Sequence, residues 1–108
     1  MAIKNARLTG SQLNVLTVPS GKRYAITNIL VCNNAGSGAQ VFDLHFIENS
    51  GGSIGTLSNN ITRVINNLSL PFGETFTFDS EKIVLEAGDT VSFVGHADLA
   101  TTISYLEV

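Results

Sequence analysis

The chain has 108 residues, of which 44% are hydrophobic and 14% charged, with a formal net charge of −3. That length makes one domain able to bury about two-thirds of its unfolded surface, and the charge falls well below the roughly 25% of an average soluble domain. The basic residues are scattered, with only Lys22 and Arg23 adjacent, which argues against a nucleic-acid partner, and no run reaches the ~18 apolar residues of a membrane helix.

Residues 1–11 read as an N-terminal arm or an edge strand ahead of a domain over 12–108. The opening MAIKNARLTG lacks a secretory pattern, and the single Cys32 allows no intrachain disulfide, so folding in a reducing cytoplasm is expected. Period-two alternation then predicts a strand over 12–18, closed by a Pro19-Ser20-Gly21 turn in which proline sets the first corner. Residues 23–33 (RYAITNILVCN) form a long strand with Ala25, Ile29 and Val31 on one face and Ile26, Leu30 and Cys32 on the other. Two apolar faces are the mark of a central strand covered on both sides.

Residues 40–48 put Phe42, Leu44 and Phe46 toward a core and Asp43 and His45 toward solvent. Residues 48–60 (ENSGGSIGTLSNN) suit an exposed loop. A weaker strand over 61–70 is interrupted by Asn66 and Asn67 and ends at Pro71-Phe72-Gly73. Strands over 74–78, 82–86, 90–95 and 102–108 follow, the second and third joined as a hairpin through Ala87-Gly88-Asp89. The expected fold is all-β: a single-domain β-sandwich of about eight antiparallel strands, jelly-roll or Greek-key.

Little in this chain points to catalysis. The pairs Asp43/His45 and His96/Asp98 would make a metal site only if they met in space, and surface roles are the ordinary reading, so no metal or cofactor is expected. Cys32 reads as a small buried hydrophobe without the electropositive setting of a nucleophile. Glu74, Asp79 and Glu81 are close in sequence but suggest no cleft, and the glycines at 51–55 lack the Gly-Lys-Ser/Thr of a phosphate loop. The chain is therefore not expected to be an enzyme; a small cupin-like enzyme would need a metal. Low charge and excess apolar surface favour an associating subunit instead.

Two segments carry a family likeness: VPSGKRYAITNILVCN (18–33) and, beyond a glycine-containing loop, KIVLEAGDTVSF (82–93) before a terminal strand. In this order they resemble the small β-sandwich virion proteins of tailed bacteriophages, over most of the chain from about residue 12 onward. The resemblance implies a capsid decoration (cement) protein, made in the host cytoplasm and located on the virion. Such a protein binds the outside of the shell and stabilises it through subunit contacts. Its partners would be itself, as a homotrimer, and the major capsid protein or other virion proteins. The family supplies no catalytic residues. The absence of a tail or long linker is what a stand-alone unit would show. The alternative is a receptor- or glycan-binding or structural module of the phage tail, neck or fibre. Position outside the regular strands nominates Ile3, Lys4, Arg7 and Leu8 for shell contact, and Asn49, Ser50, Asn59 and Asn60 for an exposed contact loop.

Overall fold

The computed structural model describes residues 2–49, 55–78 and 83–108. The strands are β1 (Ala2–Arg7), β2 (Gln12–Thr17), β3 (Tyr24–Asn33), β4 (Gln40–Ile47), β5 (Arg63–Leu70), β6 (Thr75–Phe78), β7 (Ile83–Leu85), β8 (Thr90–Gly95) and β9 (Leu99–Glu107). No helix occurs among the described residues.

The antiparallel pairs are nested: β1 with β9, β2 with β8, β3 with both β7 and β6, and β4 with β5. The chain is thus one long hairpin with its tip between β4 and β5. Two further pairings, β9 with β3 and β8 with β4, roll that hairpin into two sheets. The five-stranded sheet runs β1-β9-β3-β6, with β7 beside β6 on β3, and the four-stranded sheet runs β2-β8-β4-β5. This is the wrapped order of a jelly roll. The expected all-β sandwich is the observed fold.

The core lies between the sheets. Phe42, Leu44 and Phe93 of the four-stranded sheet face Ile29, Leu99 and Ile103 of the other, all at most 1% exposed. Burial of each such side chain contributes roughly 1.5–3 kcal/mol. Phe42 sits 5.8 Å from Phe76 and 6.2 Å from Phe93 between ring centroids, in tilted contacts.

Several local expectations change. A bulge between Ile26 and Asn28 inserts one residue into β3 and inverts the side-chain parity behind it. Tyr24, Ile26, Ile29 and Val31 therefore all join the core, while Ala25, Leu30 and Cys32 share the outer face. In the turn after β2, Lys22 N–H donates to the Pro19 carbonyl at 3.2 Å, so Ser20 and Gly21 are the corner residues and Pro19 precedes them. Ala87-Gly88-Asp89 is not a hairpin: β7 and β8 belong to different sheets, and the turn is a corner between them. Asp89 N–H closes it on the Glu86 carbonyl at 3.0 Å, with Gly88 at φ 88°, the left-handed geometry glycine accepts most readily. Val18 locks the corner from the other segment, accepting from Gly88 N–H at 2.9 Å and donating to the Asp89 carbonyl at 3.0 Å. The two segments that carry the family likeness thus meet as one unit.

Gly95 ends β8 where the roll is tightest. A Cβ there would stand 2.8 Å from Leu8 Cδ1 and 2.9 Å from Phe42 Cβ. Phe42 Cβ is anchored to its backbone and cannot swing away. Gly95→Ala is expected to lower stability by about 1–3 kcal/mol, the usual cost of overpacking, read as a fall in the denaturation midpoint.

Candidate functional site

Two outer faces could meet a partner, and they are built differently. The register of the five-stranded sheet places its outward side chains in rows: Arg7, Ala100, Cys32 and Thr75; Asn5, Thr102, Leu30 and Thr77; Ile3, Ser104 and Asn28; and Leu106, Ala25 and Val84. Within these rows Arg7 is the only charged side chain; Arg23 and Glu86, paired with each other at 3.6 Å, follow just beyond the strand ends. Ile3, Val84 and Leu106 are 64%, 50% and 37% exposed and, with Ala25, cross one end of the sheet as an apolar strip. Thr102 Oγ1 donates to Asn5 Oδ1 at 2.8 Å, and Arg7 Nε donates to the Ala97 carbonyl at 2.7 Å, so the polar groups at the opposite end are already engaged. The two apolar faces of β3 foretold cover on both sides. No described element of this chain covers the outer one.

Cys32 belongs to this face. It is half-buried rather than in the core, with Sγ 3.4 Å from Asn34 Oδ1.

The four-stranded sheet is strapped. Asn14, Ser92, His45 and Arg63 form one row across its outer surface. Residues 55–62 lie over that row. At one end the Gly55 carbonyl accepts from Gln12 Nε2 at 2.8 Å. At the other, Thr62 Oγ1 lies 2.8 Å from His45 Nδ1. Ser92 and His45 consequently have no solvent exposure, although alternation alone turns both away from the core. This corrects two expectations: His45 is not on a solvated face, and part of the 48–60 loop is packed down.

Ser58 N–H donates to Thr62 Oγ1 at 3.1 Å, and that hydroxyl donates to the Ser58 carbonyl at 2.8 Å. The hydroxyl proton is thereby used, so His45 Nδ1 carries the hydrogen between it and Thr62. The other ring nitrogen, Nε2, is buried without a hydrogen-bond partner among the described residues. Burial holds the His45 pKa below its ordinary 6.5; Asp43 acts in the opposite direction, and Arg63 lowers it further. Asp43 itself pairs with Arg63 at 3.6 Å and accepts from Asn67 N–H at 2.6 Å. That last bond holds Asn67 at φ 50°, a left-handed conformation asparagine tolerates.

Beside the strap lies a shallow groove of about 320 Å³, lined by Gln40, Val41, Asp43, Asn67, Val94 and His96 among others. His96 and Asp98 close their own turn, with Asp98 N–H donating to His96 Nδ1 at 3.0 Å. Asp43 and His96 line the same groove, but no cluster of three or more His, Cys, Asp or Glu that could hold a metal ion occurs among the described residues.

The nominated contacts divide. Ile3, Lys4 and Arg7 are exposed on the edge strand β1. Leu8 is 1% exposed and part of the core, which withdraws it as a surface contact: the chain turns inward there to cross between sheets. Asn59 and Asn60 are exposed at the strap's far bend, as is Asn49, whose N–H donates to Asp89 Oδ1 at 2.8 Å. Ser50 lies outside the described residues, as do Asp79 and Glu81. Sequence reasoning passed over Ser92, Thr62 and Asn33. For Asn33 a signal existed: it continues the inward parity of Ile29 and Val31, a polar residue at a core position. The chain matches no protein-family model, no curated protein and no solved structure.

Proposed function

We propose that this chain is a structural subunit of a phage virion, a decoration protein that binds the outside of the shell and stabilises it through subunit contacts, self-associating as a homotrimer. The observation that carries the reading is the open, nearly charge-free outer face of the five-stranded sheet, with its strip of Ile3, Ala25, Leu106 and Val84. Apolar strand surface of this kind is normally buried against another chain. The likeness of residues 18–33 and 82–93 to phage virion proteins supplies the particle. The mechanism is area rather than chemistry: many identical contacts repeated by symmetry hold neighbouring shell subunits together.

Light scattering behind a sizing column tests association first, with an expected native mass three times the 11.5 kDa of one chain. Co-sedimentation with empty shells tests the particle. Ile3→Glu combined with Arg7→Glu is expected to weaken shell binding while leaving the fold intact. Deletion of residues 2–8 is the poorer experiment, because it removes an edge strand and the core residue Leu8 together. A monomer that ignores shells overturns the reading.

The groove beside the strap favours a second reading, a glycan-binding module of the tail or fibre. Gln40, Asn67 and His96 present hydrogen-bonding groups around the apolar Val41 and Val94, a combination suited to a neutral sugar. Saturable binding of host-surface polysaccharide, lost in Asn67→Ala, would decide for it; a decoration protein shows none.

A further inference from the structure

We propose that the strap over the four-stranded sheet is an acid-released clasp, with His45 as its catch. The geometry is specific. His45 is fully buried beneath residues 55–62, and one ring nitrogen holds the strap through Thr62 Oγ1 at 2.8 Å. Thr62 in turn fixes Ser58 through both its hydroxyl and its backbone N–H, each 2.8 Å from the Ser58 carbonyl. Nε2 has no hydrogen-bond partner among the described residues.

Neutral imidazole tolerates that arrangement, because an unpaired lone pair is the smaller burden. Imidazolium does not, because a second N–H appears with no acceptor and a positive charge sits out of water. Among the described residues neutralisation is small: Asp43 favours the charged ring, but burial and Arg63 outweigh it. Asp43 on β4 is already paired with Arg63 of β5 at 3.6 Å. The groups facing His45 from β8 and β2 are Ser92 and Asn14, and residues 55–62 contain no titratable side chain. The core face of β4 is apolar. Rotation toward water requires the strap to lift, and lifting uncovers the Asn14, Ser92 and His45 row.

Linkage sets the direction. The folded pKa lies below 6.5 because burial disfavours the charged form, so the open state binds more protons than the closed one. Closure is fully stabilised above pH 6.5 and weakens as pH falls toward the lowered folded value. The equilibrium moves by up to about tenfold per pH unit within that window.

The test is amide hydrogen exchange of the intact chain at several pH values, corrected for intrinsic rates. Protection at Ser58 and Thr62 is expected to fall by up to about tenfold per pH unit below 6.5, while Ile103 in the other sheet stays protected. In His45→Gln the same amides should show no such dependence. The imidazole ¹⁵N shifts of the wild-type chain give a readout that needs no variant, with His45 titrating below an ordinary histidine. PH-independent protection at Ser58 and Thr62, an unchanged dependence in His45→Gln, or a His45 that titrates at or above 6.5 would each overturn the clasp. None of these outcomes bears on shell binding, so the clasp and the virion reading fail separately.

Discussion

Asn33→Ala is expected to remove about 3 kcal/mol of folding stability, a large part of the 5–15 kcal/mol typical of a domain. Asn33 has no solvent exposure and closes β3 at a core-facing position. Its Nδ2 donates to the Leu70 carbonyl at 2.8 Å and the Gly38 carbonyl at 3.2 Å, and its Oδ1 accepts from Ala35 N–H at 2.9 Å. Its own N–H donates to the Glu74 carbonyl at 3.0 Å, and its carbonyl accepts from Gly73 N–H at 2.9 Å. One carboxamide therefore ties the β3–β4 loop to the β5–β6 turn.

Truncation leaves three backbone groups without partners, each costing on the order of 1 kcal/mol. Asn33→Asp is a sharper comparison. The shape is kept, but an acceptor oxygen replaces the donor facing two carbonyls, so at neutral pH it should be worse than alanine and recover partly in acid. Denaturant titration of both variants measures this. A loss below about 1 kcal/mol in Asn33→Ala would show that water replaces the side chain without cost.

A charge set in the middle of the open face should abolish self-association while leaving the subunit folded. Leu30 is the position to choose. It is half-buried and central, between Thr102 and Thr77 on neighbouring strands, and a long lysine side chain can reach water from there in the isolated subunit. Within a closed interface the same ammonium would be buried without a partner, at a cost of several kcal/mol.

The available area is adequate for such an interface. Four strands about 4.8 Å apart and roughly eight residues long present about 500 Å²; set against a different surface of the next subunit, as a threefold ring requires, that face gives on the order of 1,000 Å² in total, the floor for a specific contact. Edge-to-edge pairing through β1 is the weaker route, because exposed Lys4 in mid-strand guards that edge. In Leu30→Lys the light-scattering mass is expected to fall to that of one chain with an unchanged circular dichroism spectrum. An oligomer that survives the substitution would place association on another surface.

What was legible in the sequence was whatever depends on near neighbours along the chain. Alternation marked the inward faces of β4 and β6, with Phe42, Leu44, Phe76 and Phe78 where the pattern put them. Gly88 marked a turn, and Asn66 with Asn67 marked the place where β5, though unbroken, shifts register against β4. Low charge pointed to more apolar surface than one core can hide, whereas the two apolar faces of β3 predicted cover on both sides and no described element covers the outer one. These features are local because period-two geometry and left-handed φ are properties of single residues and their immediate neighbours.

The rest required the third dimension. A single bulge residue in β3 reversed which of Ala25 and Ile26 reached the core, and nothing in the apolar run RYAITNILVCN distinguishes the two registers. Whether Ala87-Gly88-Asp89 was a hairpin or a corner depended on which strands, far away in sequence, its neighbours paired with. His45 had the alternation of a solvated residue and became fully buried because a segment up to seventeen residues downstream lies across its row. Exposure of a sheet's outer face is decided by long-range chain crossings, which the period of a strand does not encode. So alternation determined the faces of this protein, and only its tertiary structure decided that one is strapped shut and the other left open.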